Sequence, residues 1–157
     1  MAEALNLFQL IGQEQTRSYW QTLIASGRFG HAHILSGHSG VGKDALAFTI
    51  AATLNCKSDQ AKPCGECQAC RQLLNLEHPA LHLLFALPRR STSQTDPFSG
   101  IKESEMTLIN AELSKKIKWP YYHLQIDGAN DIRISAIRKL RKDIYLASDI
   151  GSTRIVI

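Results

Sequence analysis

The chain has 157 residues, of which 44% are hydrophobic and 20% charged, and it carries a formal net charge of +4. That length fits one ordinary domain, and that apolar fraction excludes a disordered segment. No apolar run approaches the length of a membrane span, and the N-terminus, MAEALNLFQLIGQ, lacks the basic start and apolar stretch of a signal peptide, so the reading predicts a cytoplasmic protein with no membrane contact.

Residues 5–12 read as an extended lead-in. Residues 13–26 predict a helix with Trp20, Leu23 and Ile24 on one stripe, stopped by Gly27. Residues 32–36 predict a short strand, with His31 and His33 flanking its start and nothing marking either as a ligand. Gly37-His38-Ser39-Gly40-Val41-Gly42-Lys43 follows, and then a helix over 43–55 that is apolar almost all round, with Ala45, Leu46, Phe48, Ile50, Ala51 and Leu54. Such a helix packs on most of its sides. A cysteine-rich stretch, residues 56–70, leads into a helix through Leu76, and His78-Pro79 reads as a helix-to-strand junction. Residues 81–87 predict a buried strand, and PRRSTSQTDPFSG, residues 88–100, a loop. Residues 102–118 predict a helix with Met106, Ile109, Leu113 and Ile117 at helical spacing, and with Lys115, Lys116 and Lys118 at its negative end. Trp119-Pro120 ends it. Residues 122–126 read as a strand, 127–130 as a turn, and 131–147 as a helix with Ile134, Ile137, Leu140 and Ile144 toward the core. A last strand covers 153–157. Strands alternating with helices point to an α/β protein with a parallel sheet flanked by helices.

Two motifs carry chemistry. Strand, GHSGVGK and helix together are the context of a phosphate-binding loop. Glycines turn backbone N–H groups inward, the helix presents its positive end, and Lys43 adds a point charge. The motif should close on Ser or Thr, whose hydroxyl ligates magnesium, but Asp44 stands there. Gly37, His38, Ser39, Gly40, Val41, Gly42, Lys43 and Asp44 are therefore candidate phosphate-binding residues of a loop reduced in function, with weak ATP or anion binding. The second motif is Cys56-KSDQAKP-Cys64-GE-Cys67-QA-Cys70. Four clustered thiolates suit tetrahedral zinc in a structural role, since they leave no open position for catalysis. Disulfides are disfavoured in a cytoplasmic protein. The zinc module would cover 56–72.

With these residues in view the sequence resembles the bacterial DNA polymerase III clamp-loader ATPase subunits. The resemblance is carried by Phe8-x-x-Ile11-Gly12-Gln13, Gly30-His31-Ala32-His33-Ile34-Leu35, GHSGVGK, Leu54-Asn55-Cys56, PCGECQACRQL and His78-Pro79-Ala80-Leu81, and it continues through Ile126-Asp127-Gly128-Ala129 and residues 132–137. It implies an AAA+ phosphate-loop domain with an inserted four-cysteine zinc knot. It also implies a place in DNA replication beside other clamp-loader subunits (gamma/tau and delta), acting on the sliding clamp and primed DNA. Of the family's two kinds, gamma/tau hydrolyses ATP and delta-prime is a stator. Asp44 and an insertion at about 84–120 favour delta-prime. The strand at 153–157 corresponds to the one that ends in the Walker B acids. The chain stops before them, so the reading is of a truncated domain without lid or collar, unable to hydrolyse ATP and prone to self-association through unpaired strand edges.

Two readings from other classes compete. A small phosphate-loop kinase or NTPase would use Lys43 with Asp127 as its acid, but Gly128-Ala129-Asn130 makes Asp127 look like part of a turn. A zinc-ribbon nucleic-acid binder would need stacking aromatics, and none lie between the cysteines. Arg138, Arg141 and Lys142, with Lys139 beside them, form a basic side of the last helix. It reads as a solvated face or as a contact for DNA or a neighbouring subunit.

Overall fold

A computed structural model describes residues 10–88, 96–146 and 151–157. The lead-in as far as residue 9, including Phe8, most of the Ser/Thr-rich loop (89–95), and Ala147 at the end of the last expected helix lie outside the described residues. The chain divides into two compact units, Met1–His78 and Pro79–Ile157.

Among the described residues the first unit holds three helices: α1 (Glu14–Ala25), α2 (Lys43–Asn55) and α3 (Gln68–Leu74). Helix α1 follows Gln13, which sits in left-handed backbone at φ 60°, and it ends at Gly27, where φ 68° needs no Cβ. Its one buried side chain is Trp20; Leu23 and Ile24 are half-buried. Trp20 packs edge-on to His33, with ring centroids 4.9 Å apart, and Phe29 lies 4.4 Å from the same imidazole. His33 is thus an aromatic packing partner.

Helix α2 has the predicted bounds. Ala45, Leu46, Phe48, Ile50, Ala51, Ala52 and Asn55 are buried in it. Its polar side chains are absorbed internally: Thr49 Oγ1 donates to Ala45 O (2.7 Å), Thr53 Oγ1 to Thr49 O (2.8 Å) and Asn55 Nδ2 to Ala51 O (3.1 Å). These internal bonds let the helix be covered on most of its sides. Helix α3 packs on α2 and buries Ala69, Cys70 and Leu73. It ends in a Schellman motif. Glu77 N–H donates to Gln72 O (2.8 Å), Leu76 N–H to Leu73 O (3.1 Å), and Leu76 occupies the left-handed position at φ 57°. Glycine is the usual residue there.

The expected strand at 32–36 is not formed. The segment pairs with no strand among the described residues and leaves Ile34 94% exposed. A strand exists only through a partner, and no described segment supplies one.

The second unit contains β1 (Leu81–His82), α4 (Glu103–Lys118), α5 (Ile134–Leu146) and β2 (Ile155–Val156). The strands pair in parallel, Leu81 opposite Ile155 and His82 opposite Val156. Ile155 N–H donates to Ala80 O (2.8 Å), Ile157 N–H to His82 O (3.0 Å) and Leu84 N–H to Ile157 O (2.7 Å). The predicted strand at 81–87 is therefore shorter than expected, and its ladder ends where β2 runs out of partners. Among the described residues the sheet has two strands.

Helix α4 opens with Glu105 Oε2 accepting from Lys102 N–H at 3.1 Å, which satisfies one of the donors at the helix start. Ile109 is its buried apolar anchor, 2% exposed, while Met106, Leu113 and Ile117 are half-buried. The expected strand at 122–126 is absent too. The segment is held by a side chain: Gln125 N–H donates to Glu112 Oε2 at 2.9 Å. Helix α5 starts three residues later than predicted, and its covered stripe differs. Ser135 and Ala136 are buried, whereas Ile134 is 67% and Ile137 46% exposed. Ala136 and Leu140 face a groove of 240 Å³ that is also lined by Leu84, Phe85 and Phe98. Two contacts pin residues 97–98 on this side: Arg133 Nη1 donates to Pro97 O (2.5 Å), and Lys139 Nζ lies 5.8 Å from the Phe98 ring centroid.

Candidate metal centre and glycine loop

Helix α2 carries a candidate site at each end. At its C-terminus the helix stops at Cys56, whose backbone is extended (φ −63°, ψ 131°), so the chain leaves the helix axis at the first cysteine. Residues 57–63 loop out and return Cys64. Gly65, at φ 79°, turns the chain, and Cys67 caps α3 by accepting the Cys70 N–H on its sulfur (3.5 Å). The four predicted ligands Cys56, Cys64, Cys67 and Cys70 converge. Their Sγ atoms all lie within 4.8 Å of one another, and Cys64 and Cys70 are 4.0 Å apart. Zn–S bonds of about 2.3 Å in a tetrahedron put sulfurs about 3.8 Å apart, so little movement separates this cluster from a filled site. All four are free thiols.

Backbone donors aim at these sulfurs. Ser58 and Cys64 N–H point to Cys56 Sγ at 3.5 and 3.4 Å, and Cys67 N–H to Cys64 Sγ at 3.3 Å. Such donors favour thiolates. The N–H groups of Cys67 and Glu66 bring Cys64 below the usual thiol range. Burial pushes Cys67 up, but the N–H groups of Lys57 and Cys70 and the neighbouring thiols outweigh it and bring it to about 6. Burial holds Cys70 well above the usual range. Four soft donors brought together, two of them buried and two with lowered thiol pKa, fit a cation that takes thiolates. His78 is buried outside the quartet; its burial, and then the charge of Lys57, lower its pKa and favour the neutral ring.

At the N-terminal end of α2, Gly37 (φ 150°), Gly40 (φ 77°) and Gly42 (φ 97°) shape the predicted loop. A Cβ on Gly37 would lie 3.3 Å from Val41 Cγ1, so the turn is tight as well as unusual in its angles. Lys43 Nζ folds back onto the loop and donates to Gly37 O (2.9 Å) and His38 O (2.8 Å). His38, Ser39, Gly40 and Asp44 are exposed, and Asp44 lies in the first turn of α2, where its carboxylate suits the helix dipole. Asp127 is exposed in a turn, as its neighbours suggested. Arg138, Arg141 and Lys142 are exposed on α5, and Lys139 Nζ lies over the Phe98 ring.

The second unit also holds a polar network outside the predicted sites. The Glu112 carboxylate accepts from Lys115 Nζ (2.5 Å), Tyr122 Oη (2.8 Å) and Gln125 N–H (2.9 Å), and Lys116 Nζ donates to Tyr122 O (2.6 Å). The Lys115 ammonium, the Gln125 N–H and the Tyr122 hydroxyl hold Glu112 at about 2. Its carboxylate in turn raises Lys115. The spacing Glu112, Lys115, Lys116 was the available signal.

The family described as "DNA polymerase III, delta subunit" matches residues 12–157. DNA polymerase III subunit delta' of Yersinia pestis is 38% identical over 142 residues, 90% of this chain and 39% of that protein. Subunit delta' of Bacillus subtilis is 32% identical over 92 residues, 59% of this chain and 25% of that protein. Subunit tau of Escherichia coli is 38% identical over 65 residues, 41% of this chain and 10% of that protein. The chain thus spans well under half the length of these relatives. No solved structure matches it.

Proposed function

Because the chain belongs to the DNA polymerase III delta-subunit family and its similarity to a delta' subunit runs along 90% of its length, we propose that it is the delta-prime-type subunit of a clamp loader. In this role it joins gamma/tau and delta subunits and helps place the sliding clamp on primed DNA. The match over residues 12–157 carries the reading, because it takes in both the glycine loop and the cysteine quartet. The fold would be the AAA+ phosphate-loop type, of which the helices and the small parallel sheet are a compatible part. Residues 56–72 would be a zinc module and about 84–120 an insertion.

We take the subunit to be a stator. Phosphoryl transfer needs a positioned metal and an oriented water. Asp44 replaces the hydroxyl that would ligate magnesium, and Lys43 is engaged with the carbonyls of its own loop. Zinc, when bound, would supply a structural crosslink between Cys56 at the end of α2 and Cys64, Cys67 and Cys70 at the start of α3. Assembly tests the main reading. The protein, mixed with gamma/tau and delta subunits, should co-elute with them as one complex and support clamp loading. Failure to enter the complex would refute it.

A further inference from the structure

The Glu112 network fixes one short turn, and that turn leaves the Trp119 ring exposed with the half-buried Tyr121 beside it. Trp119 N–H bonds Lys115 O (2.9 Å), Tyr122 N–H bonds Trp119 O (2.8 Å), and Lys116 Nζ holds Tyr122 O (2.6 Å). Pro120 is buried within the turn. With the backbone held at so many points, Trp119 is nonetheless 48% exposed, and its ring centroid lies 5.4 Å from that of Tyr121 at 37° between planes. Lys118 and His123 are exposed beside the pair, and the side chain of Lys115 is 56% exposed. Within residues 112–123, Lys115, Lys116 and Lys118 are positive and Glu112 is the one acid, so the segment is net positive; Lys116 is buried, which leaves Lys115 and Lys118 as its exposed cations.

We infer that residues 115–123 form a docking surface for single-stranded DNA, with Trp119 and Tyr121 stacking on bases and Lys118, aided by Lys115, facing the phosphates. A rigid aromatic pair rimmed by cations matches a ligand that offers flat π faces and negative charge along one strand. An acidic peptide would satisfy the lysines and leave the rings without a matching surface. A duplex hides its base faces in the stack. The choice of DNA over RNA rests on the reading of the chain as a DNA polymerase III subunit; the surface itself does not depend on that reading. No aromatic residue lies between the cysteines; the pair that would stack is Trp119 and Tyr121, after α4.

The test uses the full chain with a fluorescent (dT)20 oligonucleotide at low salt, against (U)20, a duplex of the same length and poly-glutamate. The wild type should bind (dT)20 more tightly than the duplex. Trp119→Ala should weaken binding about tenfold, Trp119→Phe should largely retain it, and Lys118→Gln should reduce the salt slope by about 0.7. The chain has two tryptophans, and Trp20 is buried. In the NMR spectrum of the wild type, DNA should therefore move the Trp119 indole N–H resonance and leave that of Trp20 in place, which covers the case of a variant that does not fold. The inference is overturned by an unmoved Trp119 resonance, by Trp119→Ala binding within twofold of wild type, or by poly-glutamate displacing DNA at equal charge, which would assign the patch to an acidic protein. Tighter binding of (U)20 would overturn the choice of DNA. Trp119→Ala should still assemble with gamma/tau and delta subunits, so loss of assembly bears on the clamp-loader reading and loss of (dT)20 binding on this one.

Discussion

Replacing Asp44 with threonine is expected to raise affinity for Mg²⁺-ATP. In the wild type an arriving phosphate meets Lys43, which must leave the Gly37 and His38 carbonyls at 2.9 and 2.8 Å. That exchange offsets itself in part, because the ammonium gains a charged acceptor for two neutral ones. The carboxylate at position 44 has no such offset. At about 5 Å from a phosphate charge and an effective dielectric near 20, the repulsion is about 3 kcal/mol. Asp44 is exposed, and solvent screening brings this to roughly half, or about tenfold in affinity. Threonine removes the charge and restores a neutral hydroxyl ligand. Calorimetry on both proteins, with Mg²⁺-ATP and with metal-free pyrophosphate, measures the difference. The wild type should bind Mg²⁺-ATP weakly or not at all, and Asp44→Thr about tenfold better. Micromolar affinity in the wild type, weakened by Asp44→Thr, would show that the carboxylate is a functional magnesium ligand and would refute the reasoning.

Protein purified without chelator under reducing conditions should carry about one equivalent of zinc. Chelation should then speed hydrogen exchange across 56–72, and content below about a tenth of an equivalent would refute the site. Glu112 is held at about 2 in the folded chain against 4.5 ordinarily. Its contribution is therefore present above the unfolded value and lost as pH falls from about 4.5 toward 2. The amide of Gln125 should exchange faster across that window, and Glu112→Gln should flatten the dependence; an unchanged profile would sink the assignment. With Ile34 94% exposed in a segment that pairs with no strand among the described residues, and Val156 43% exposed in a sheet of two described strands, the chain should self-associate as concentration rises, and light scattering showing a clean monomer throughout would refute this.

What could be read in advance follows from how local each signal is. The bounds of α2 were legible because Gly42 and the first cysteine bracket a mostly apolar run, and the cysteine quartet because its ligands are close in sequence. Helix α5 showed an apolar repeat, but a repeat does not say which stripe is covered. The small Ser135 and Ala136 are the buried ones, and Ile134 and Ile137 were left outside. The segment 122–126 had the composition of a strand, yet its amide at Gln125 goes to Glu112, thirteen residues away. No local pattern encodes that pairing. Nor does one mark Leu76 for left-handed backbone, because that angle follows from the Schellman bonds made by its neighbours.

The rigid link between the glycine loop and the first cysteine sets which changes in length the protein can absorb. Helix α2 runs unbroken from Lys43 to Asn55, about 20 Å, and hands the chain directly to Cys56. Deleting one residue from it would swing Cys56 by about 100° around the axis and withdraw it by about 1.5 Å, taking its sulfur out of reach of the other three. Beyond the Lys57 and Ser58 N–H groups that face the sulfurs, the loop between Cys56 and Cys64 returns the chain to its starting point, and closing a somewhat longer loop costs little more entropy. Insertions should therefore be tolerated in 57–63 and not in 43–55, so the spacing from loop to first thiol behaves as a fixed ruler and the spacing from first thiol to second as slack.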